Sequence, residues 1–498
     1  MSTTDTFSNR RRTPFDFVLV VLTISILGCH TPNLCSRRCF VSSELSSRTG
    51  SQLGSGGGIS GGSFPPGITV DDGLTADEAV ATALWNNSAY HELLAQLGIS
   101  RAQLFNAGLI SDPQFIIYFP MGPNQLQLTT YQAVDALWLR PIRQRAAQLD
   151  LCELSQTMVQ NGLNLVRDVR VAHANLVLAQ QRAALTEESF RLREQIARLA
   201  EKRLEGGDIS ELEATTSQVD SLQSEALALS NQQDIRLAQE TLRVLLGTSL
   251  GAEDILAVDD MEYLPSSIST DQLVQTAFAM RPDLRALELR KTAACERARL
   301  ARKQFMNLDA VFYGKDVTSP AFQVNPGLRF TLPIFNGNRG NIAIADAVVQ
   351  QVDRQYASAC DRIQLEVRTA ATQLRQAEQQ RALFQDRILP KLAAAAELAR
   401  RNYVDGGVAY FLVLQATGQH IDTQVRRIEA EAAFRRARAE LERGVGRRIL
   451  PGETLPVIQS PENETISATQ GTDFPTGNTA QPLVPDEFEE HSPKVSQD

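Results

Sequence analysis

The sequence predicts a mainly α fold with a small β part, in which two β-hairpins alternate with two long α-helical hairpins. Three observations carry that prediction. The hydrophobic period changes once, abruptly, between Leu328 and Asp346; apolar stripes run far longer than a globular helix needs; and the second half of the chain repeats the order of the first. In the 328–346 stretch, Leu328, Phe330, Leu332 and Ile334 alternate with Arg329, Thr331 and Pro333, the pattern of a strand with one apolar face. Beyond it, Ala345, Val349, Val352, Tyr356, Ala359 and Ile363 fall four and three apart, the seam of a coiled coil. Asn336-Gly-Asn-Arg-Gly340 supplies the turn between the two periods.

Composition agrees. Of 498 residues only 6% are aromatic, and Ala, Leu, Gln, Arg and Glu dominate the middle, which suits long helices packed along narrow seams. The net charge of −9 is partly gathered in a tail bearing Asp486, Glu487, Glu489 and Glu490. No basic patch interleaved with aromatics occurs, so nucleic-acid binding has no support. Six cysteines include no Cys-x-x-Cys pair; Cys152, Cys295 and Cys360 read as small apolar helix residues. No metal site and no cofactor is expected.

In chain order, residues 1–28 read as a signal peptide: Arg10-Arg-Arg12 precedes the apolar core Phe17–Leu27, too short to span a bilayer. Ile26-Leu-Gly-Cys29 resembles a lipoprotein lipobox, which marks Cys29 for acylation, and 29–70 reads as a lipid-anchored flexible linker rich in Ser and Gly. Folding is expected to begin near Leu74, where Thr75 and Glu78 form a capping-box pattern; Pro113 closes that helical region. The first structural repeat, 71–250, then has strands at about 114–131 and a helical hairpin at about 141–247. Its stripe of Leu165, Val169, Ala172, Leu176, Ala179 and Ala183 breaks at Glu205-Gly-Gly-Asp208 and returns to Leu246-Gly247.

The second repeat, 266–447, has strands at about 307–335 and a helical hairpin at about 341–446. Gln379-Gln-Arg381 answers Gln180-Gln-Arg182, and Asp405-Gly-Gly407 answers Glu205-Gly-Gly207, each about 200 residues on. Residues 448–498 read as a disordered acidic tail. The two joints between strand and helix differ: the second carries Pro333, Phe335, Gly337 and Arg339, whereas Tyr131 to Pro141 has no glycine.

Two hairpins supply four strands, too few to close a barrel. If an exported chain puts them in a bilayer, their edges must be paired, so several chains must share one barrel. Gln125, Gln127, Thr129, Arg329 and Thr331 then face water, and Leu126, Leu328, Phe330 and Leu332 face lipid.

At this point a resemblance enters. Leu332-Pro-Ile-Phe-Asn-Gly-Asn-Arg339 is similar to the strand-to-helix signature of TolC-like outer membrane efflux proteins. Leu74–Val80, Ala107–Gln114, Arg281-Pro-Asp283 and the Asp405-Gly-Gly407 tip match in the same order. The resemblance implies a homotrimer with a twelve-stranded outer-membrane barrel continuous with a periplasmic α-helical barrel. It further implies docking to a periplasmic membrane-fusion adaptor and an inner-membrane pump, with passage rather than enzyme chemistry. Gate and adaptor docking fall at Glu205, Gly206, Gly207 and Asp208 with Asp405, Gly406, Gly407 and Val408. Acidic positions of well-known members correspond here to Leu412 and Gln415, which leaves Glu211 and Glu213 as candidates for the charge. His30, His91, His173, His420 and His491 are too dispersed to make a site, and His173 is expected on a polar helix face. A periplasmic adaptor or coiled-coil scaffold is the other reading, opposed by the two alternating hairpins and strand pairs.

Overall fold

Capping chemistry sets the first elements. In a computed structural model of the chain, described for residues 37–54, 64–68, 72–119, 126–248, 254–258, 269–315, 323–404, 407–408 and 410–449, both copies start with a capping box. Thr75 and Glu78 open α2 (Ala76–Asn86), Ser269 and Gln272 open α6 (Thr270–Met280), and α1 (Arg37–Thr49) precedes them. In the first copy α3 (Ser88–Ala107) follows, then β1 (Gln114–Tyr118), β2 (Gln127–Ala133), α4 (Ala136–Glu205) and α5 (Glu211–Leu246). In the second come α7 (Pro282–Lys303), β3 (Leu308–Lys315) and β4 (Gln323–Phe330). These lead into α8 (Arg339–Ala382), a π-helical segment (Leu383–Ile388), α9 (Leu389–Val404) and α10 (Tyr410–Val445). The described residues lie in one unit, Met1–Pro456; the signal peptide, Cys29, the Gly-rich 55–63, Asp405 and Gly406, and the tail from 450 on lie outside them, while Arg448 and Ile449, read from the sequence as the start of the tail, pack on the helices, Ile449 being 1% exposed.

The strands form one antiparallel sheet of order β1-β2-β3-β4, so the two hairpins of the two copies are joined edge to edge through β2 and β3. The helical hairpins are long: α4 has 70 residues, and its counterpart runs through consecutive pieces of 44, 6 and 16. Both return helices, α5 and α10, have 36 residues, and both end at a left-handed glycine, Gly247 and Gly446. Among the described residues no helix is long and apolar enough to cross a membrane.

Each copy has its own core around the base of its hairpin. The first gathers Leu84, Tyr90, Leu151, Met158, Leu176 and Leu246; the second gathers Leu273, Leu284, Ile363, Val367, Leu441 and Val445.

Three expectations need correction. The first is that folding begins near Leu74. Residues 37–49 instead form α1, whose Val41 and Leu45 are wholly buried, each contributing about 1.5–3 kcal/mol of apolar burial. Gly162 makes this fit: a Cβ there would meet Leu45 Cδ2 at 2.7 Å and Tyr90 Oη at 2.8 Å. Only the portion of 29–70 outside the described residues keeps the linker reading. The second concerns the helical region opened at Thr75 and closed by Pro113, which holds two helices divided at Asn87 and not only the one opened at Thr75. Asn87 Oδ1 accepts from Tyr90 N (2.8 Å) while its Nδ2 donates to Leu245 O (2.8 Å), capping α3 and tying it to the end of α5. The third is a solvated His173. It is 4% exposed, and its Nε2 donates to Leu74 O (2.8 Å), where Leu74 bridges to Ala257. Leu74 O already accepts from Val258 N (3.0 Å), and the imidazole fills its second acceptor position at this chain crossing.

Candidate channel wall, joints and helical tip

The sheet has two chemically distinct faces, fixed by register. Thr129 pairs with Ile116 and Tyr313, Tyr313 with Asn325, and Asp309 with Arg329, so Gln127, Thr129, Tyr131, Asp309, Lys315 and Arg329 share one side. Phe115, Ile117, Leu128, Phe312, Val324, Leu328 and Phe330 share the other. On that second side, where Thr130 and Gln132 stand among the apolar residues, Phe115, Leu328 and Phe330 are 62%, 67% and 54% exposed, and no described element covers them. On the first side Arg329 donates twice to Asp309 Oδ2 (2.9 and 2.6 Å) and stacks over the Tyr131 ring at 4.5 Å. Gln127, Thr129 and Arg329 thus fall on one side and Leu328 and Phe330 on the other, as the alternation read from the sequence has them, while Leu126 precedes β2. Gln125 lies outside the described residues, and Thr331 and Leu332 lie beyond the end of β4. Among the described residues strands β1 and β4 are open edges, each presenting unpaired backbone groups.

The joints differ in length. Only Val134 and Asp135 separate β2 from α4, and the N–H of each donates to Leu308 O at 2.8 and 3.3 Å. Between β4 and α8 the chain takes eight residues, Thr331 to Asn338, with Phe335 97% exposed and Gly337 at φ 51°. Asn338 is also left-handed (φ 59°), a conformation Asn tolerates; its Nδ2 donates to Ala301 O at 2.7 Å, clamping the joint to the end of α7. The sequence pattern marked Pro333, Phe335, Gly337 and Arg339 here but not Asn338, although an Asn between two turn residues is the signal for that conformation.

At the far end of the helices the two hairpins meet. Arg203 lies 4.6 Å above the Tyr403 ring and donates to Tyr403 O (3.1 Å), and Tyr403 packs with Ile196, Leu199, Val408 and Val413. Glu205, Gly206, Gly207 and Asp208 are exposed, with Gly207 left-handed at φ 78°. Asp208 N donates to Arg203 O and Gly407 N to Asn402 O, each reaching back five residues at 2.8 Å. Glu211 and Glu213 occupy the first turn of α5, beyond the Ser210 cap, where the helix dipole favours carboxylates. Leu212, Phe411 and Leu412 are 76%, 69% and 49% exposed, so much of this tip is apolar.

Around the middle runs a belt of ion pairs that pattern reading did not assign. Arg281, with a side chain 2% exposed, binds Asp283 (2.6 Å), Glu366 (2.8 Å) and Gly444 O (3.2 Å). Glu366 also takes Arg443, which reaches Glu440; Glu440 takes Arg167 at 3.2 Å. Arg170 joins Asp77 to Glu442, and Arg48 of α1 donates to Met280 O and Gly446 O. Burial alone would raise the Glu440 carboxyl, but hydrogen bonds from Arg443 and Arg167 outweigh it and hold it below the ordinary range. The groups in this belt lie on seven helices, α1, α2, α4, α6, α7, α8 and α10, and on both copies, beyond the reach of any local spacing rule.

A sheet apolar on one side and polar on the other, open at both edges and continuous with long helical hairpins, is the subunit fold of a TolC-like channel. Comparisons with known proteins agree. Residues 273–447 match the model for outer membrane efflux proteins. The cobalt-zinc-cadmium resistance protein CzcC of Cupriavidus metallidurans is 21% identical over 390 residues, spanning 75% of this chain and 90% of that protein. The CmeC outer membrane channel of Campylobacter jejuni superposes with a TM-score of 0.65 at 17% identity, over 80% of this chain and 93% of that one. The outer membrane protein VceC of Vibrio cholerae gives 0.62 at 18% identity, over 75% and 96%. The family model thus covers the second repeat, and the fold of the larger part of the chain is that of these outer membrane channels.

Proposed function

We infer that the chain is the outer-membrane duct of a tripartite efflux system, passing substrates from an inner-membrane pump across the periplasm and the outer membrane. The observation that carries this is the four-stranded sheet, amphipathic with both edges open, joined through short connections to helices of 70 and 44 residues. In lipid an open edge is untenable, so strands from several chains complete one barrel. With the family's stoichiometry, three chains make a homotrimeric twelve-stranded barrel, and their helical hairpins make the tunnel in the periplasm.

The N-terminal signal sequence exports the chain, and acylated Cys29 anchors it to the outer membrane of a Gram-negative bacterium. Glu205 to Asp208 and Asp405 to Val408 form the periplasmic aperture and dock the adaptor. Cargo selection belongs to the pump.

Membrane fractionation and unheated electrophoresis of the detergent-extracted protein test the duct. A heat-dissociable oligomer in the outer membrane supports it, and a monomer in the soluble fraction sinks it. Metabolic labelling with palmitate tests the anchor: label that persists in Cys29→Ser refutes that assignment.

A further inference from the structure

The exposed apolar surface of the sheet does not stop where the strands stop. Leu137 and Trp138 in the first turn of α4, Phe305 after α7, and Ile334 and Phe335 in the second joint are 60%, 40%, 50%, 72% and 97% exposed. These segments lie at one level, because Val134 N bonds Leu308 O, Thr331 N bonds Asn307 O, and Asn338 Nδ2 bonds Ala301 O.

Immediately on the helical side of this apolar collar comes positive charge. Ion pairs fix the level: Arg297 binds Asp150 and Arg145 binds Glu296 across α7 and α4, so Arg140 and Arg143 lie opposite the end of α7, where Lys303 stands. Arg302 binds Asp346 (2.7 Å) across α7 and α8, bringing Arg339, at the start of α8, to the same end. Matching the copies through Gln180 and Gln379, or through Leu246 and Val445, makes Arg140 and Arg339 equivalent positions of the repeat.

The cations nearest the collar differ from those a turn or two below it. Arg145, Arg297, Arg299 and Arg302 each have a carboxylate partner. Among the described residues Arg140, Lys303 and Arg339 have none. Unpaired guanidinium and ammonium groups beside exposed aromatic rings are complementary to one chemistry in particular: a lipid surface whose phosphates sit at the level of the charges and whose acyl chains begin at the rings.

We propose that this level is a phospholipid-headgroup surface, in which Arg140, Lys303 and Arg339 bind the phosphates of anionic lipids in the periplasm-facing leaflet and Trp138 sits at the start of the acyl chains. It rests on the outer-membrane reading given above and goes further by naming the lipid chemistry and the residues. Coulombic attraction to a charged surface makes it salt-sensitive.

Trp138 provides the measurement. The chain has only two tryptophans, so Trp85→Phe leaves Trp138 as the sole reporter. The full chain carrying that change is purified from outer membranes and reconstituted into vesicles of phosphatidylcholine with an equal share of phosphatidylglycerol, one of the two brominated. Brominated phosphatidylglycerol is expected to quench at least twofold more than brominated phosphatidylcholine. Raising sodium chloride to half molar should abolish the difference, as should the added pair Lys303→Gln and Arg339→Gln. Inorganic phosphate should not restore it. Lys303→Arg with Arg339→Lys should keep the preference and serves where the neutral pair does not assemble. Equal quenching by the two lipids, or a preference indifferent to salt and to loss of both charges, overturns the proposal. The duct reading fails separately, if the protein is absent from the outer membrane.

Discussion

Replacing Arg281 with Ala tests whether the mid-helix belt holds the two copies together. The guanidinium donates from Nε and Nη2 to Asp283 (3.0 and 2.6 Å) and from Nη1 to Glu366 (2.8 Å) and Gly444 O (3.2 Å), so one substitution strips contacts to α7, α8 and α10. Removing one partner of a buried ion pair costs about 3–5 kcal/mol, because the other charge stays in place without compensation. Two features reduce that figure here. Asp283 keeps the Leu284 N–H at 2.9 Å, and Glu366 keeps Arg443 at 3.3 Å. Their side chains are also 23% and 27% exposed, so water reaches both. The buried Gly444 carbonyl loses the Arg281 donor. A loss of about 3 kcal/mol is therefore expected. Urea unfolding in detergent, followed by helix ellipticity, measures it as a lowered midpoint at unchanged slope. Arg281→Lys should recover only part, since an ammonium has no planar fork to present to Asp283. A loss under about 1 kcal/mol would refute the reasoning and make the belt a solvated ornament of the surface.

The remaining predictions concern other levels of the molecule. Gly247→Ala should cost at least about 2 kcal/mol, since φ 70° disfavours a side chain and its Cβ would meet Asn86 O at 2.5 Å; an unchanged urea midpoint would contradict it. Glu440, held below the ordinary carboxylate range, contributes stability that is complete above the unfolded-state pKa of about 4.5 and is lost as pH falls through the lower folded value. Glu440→Gln should flatten that acid limb of the stability-pH curve while leaving its shape near neutrality alone. In planar bilayers, Glu205→Gln with Asp208→Asn should shift the reversal potential toward lower cation preference; identical selectivity would remove the tip carboxylates from the gate.

Much of the fold was legible because it is periodic. The strand alternation at Leu328 to Ile334, the heptad stripes and the glycine C-caps are local patterns repeated twice, and the structure has strands, long helices and left-handed glycines at or near those positions. What escaped was stabilised at a distance. Helix α1 has few apolar residues, and Leu45 is buried where Gly162, far along the chain, leaves a notch for it. The readable hint was that glycine, which interrupts an otherwise continuous helical pattern and costs about 1 kcal/mol there unless something fills the space. Arg281-Pro-Asp283 was visible as a motif, yet its meaning depends on Glu366 and Gly444, which no spacing brings to mind. At the tip, Arg203 and Tyr403 were hidden for the same reason.

The two joints carry the clearest physical lesson. With the copies matched through Gln180 and Gln379, Arg140 corresponds to Arg339 and Pro141 to Gly340, so α8 begins where α4 is already one turn old. That extra turn, Ala136 to Leu139, is what lets the first joint shrink to two residues, whereas the second crosses the same level in eight. Pro141 fits this account: it follows directly on the turn that the second copy lacks, and its missing N–H deletes the bond that would tie it to Leu137. The second joint substitutes a different fastening, the Asn338 side chain on Ala301 O, with Gly337 and Asn338 both left-handed to reverse the chain. A continuous helix resists bending along its whole length, while an eight-residue connection pinned at one end can pivot about the pin. Relative motion between sheet and helices should therefore concentrate at the second joint. Asn338→Ala would release it, and hydrogen exchange at 331–338 should rise with no matching change at 134–139.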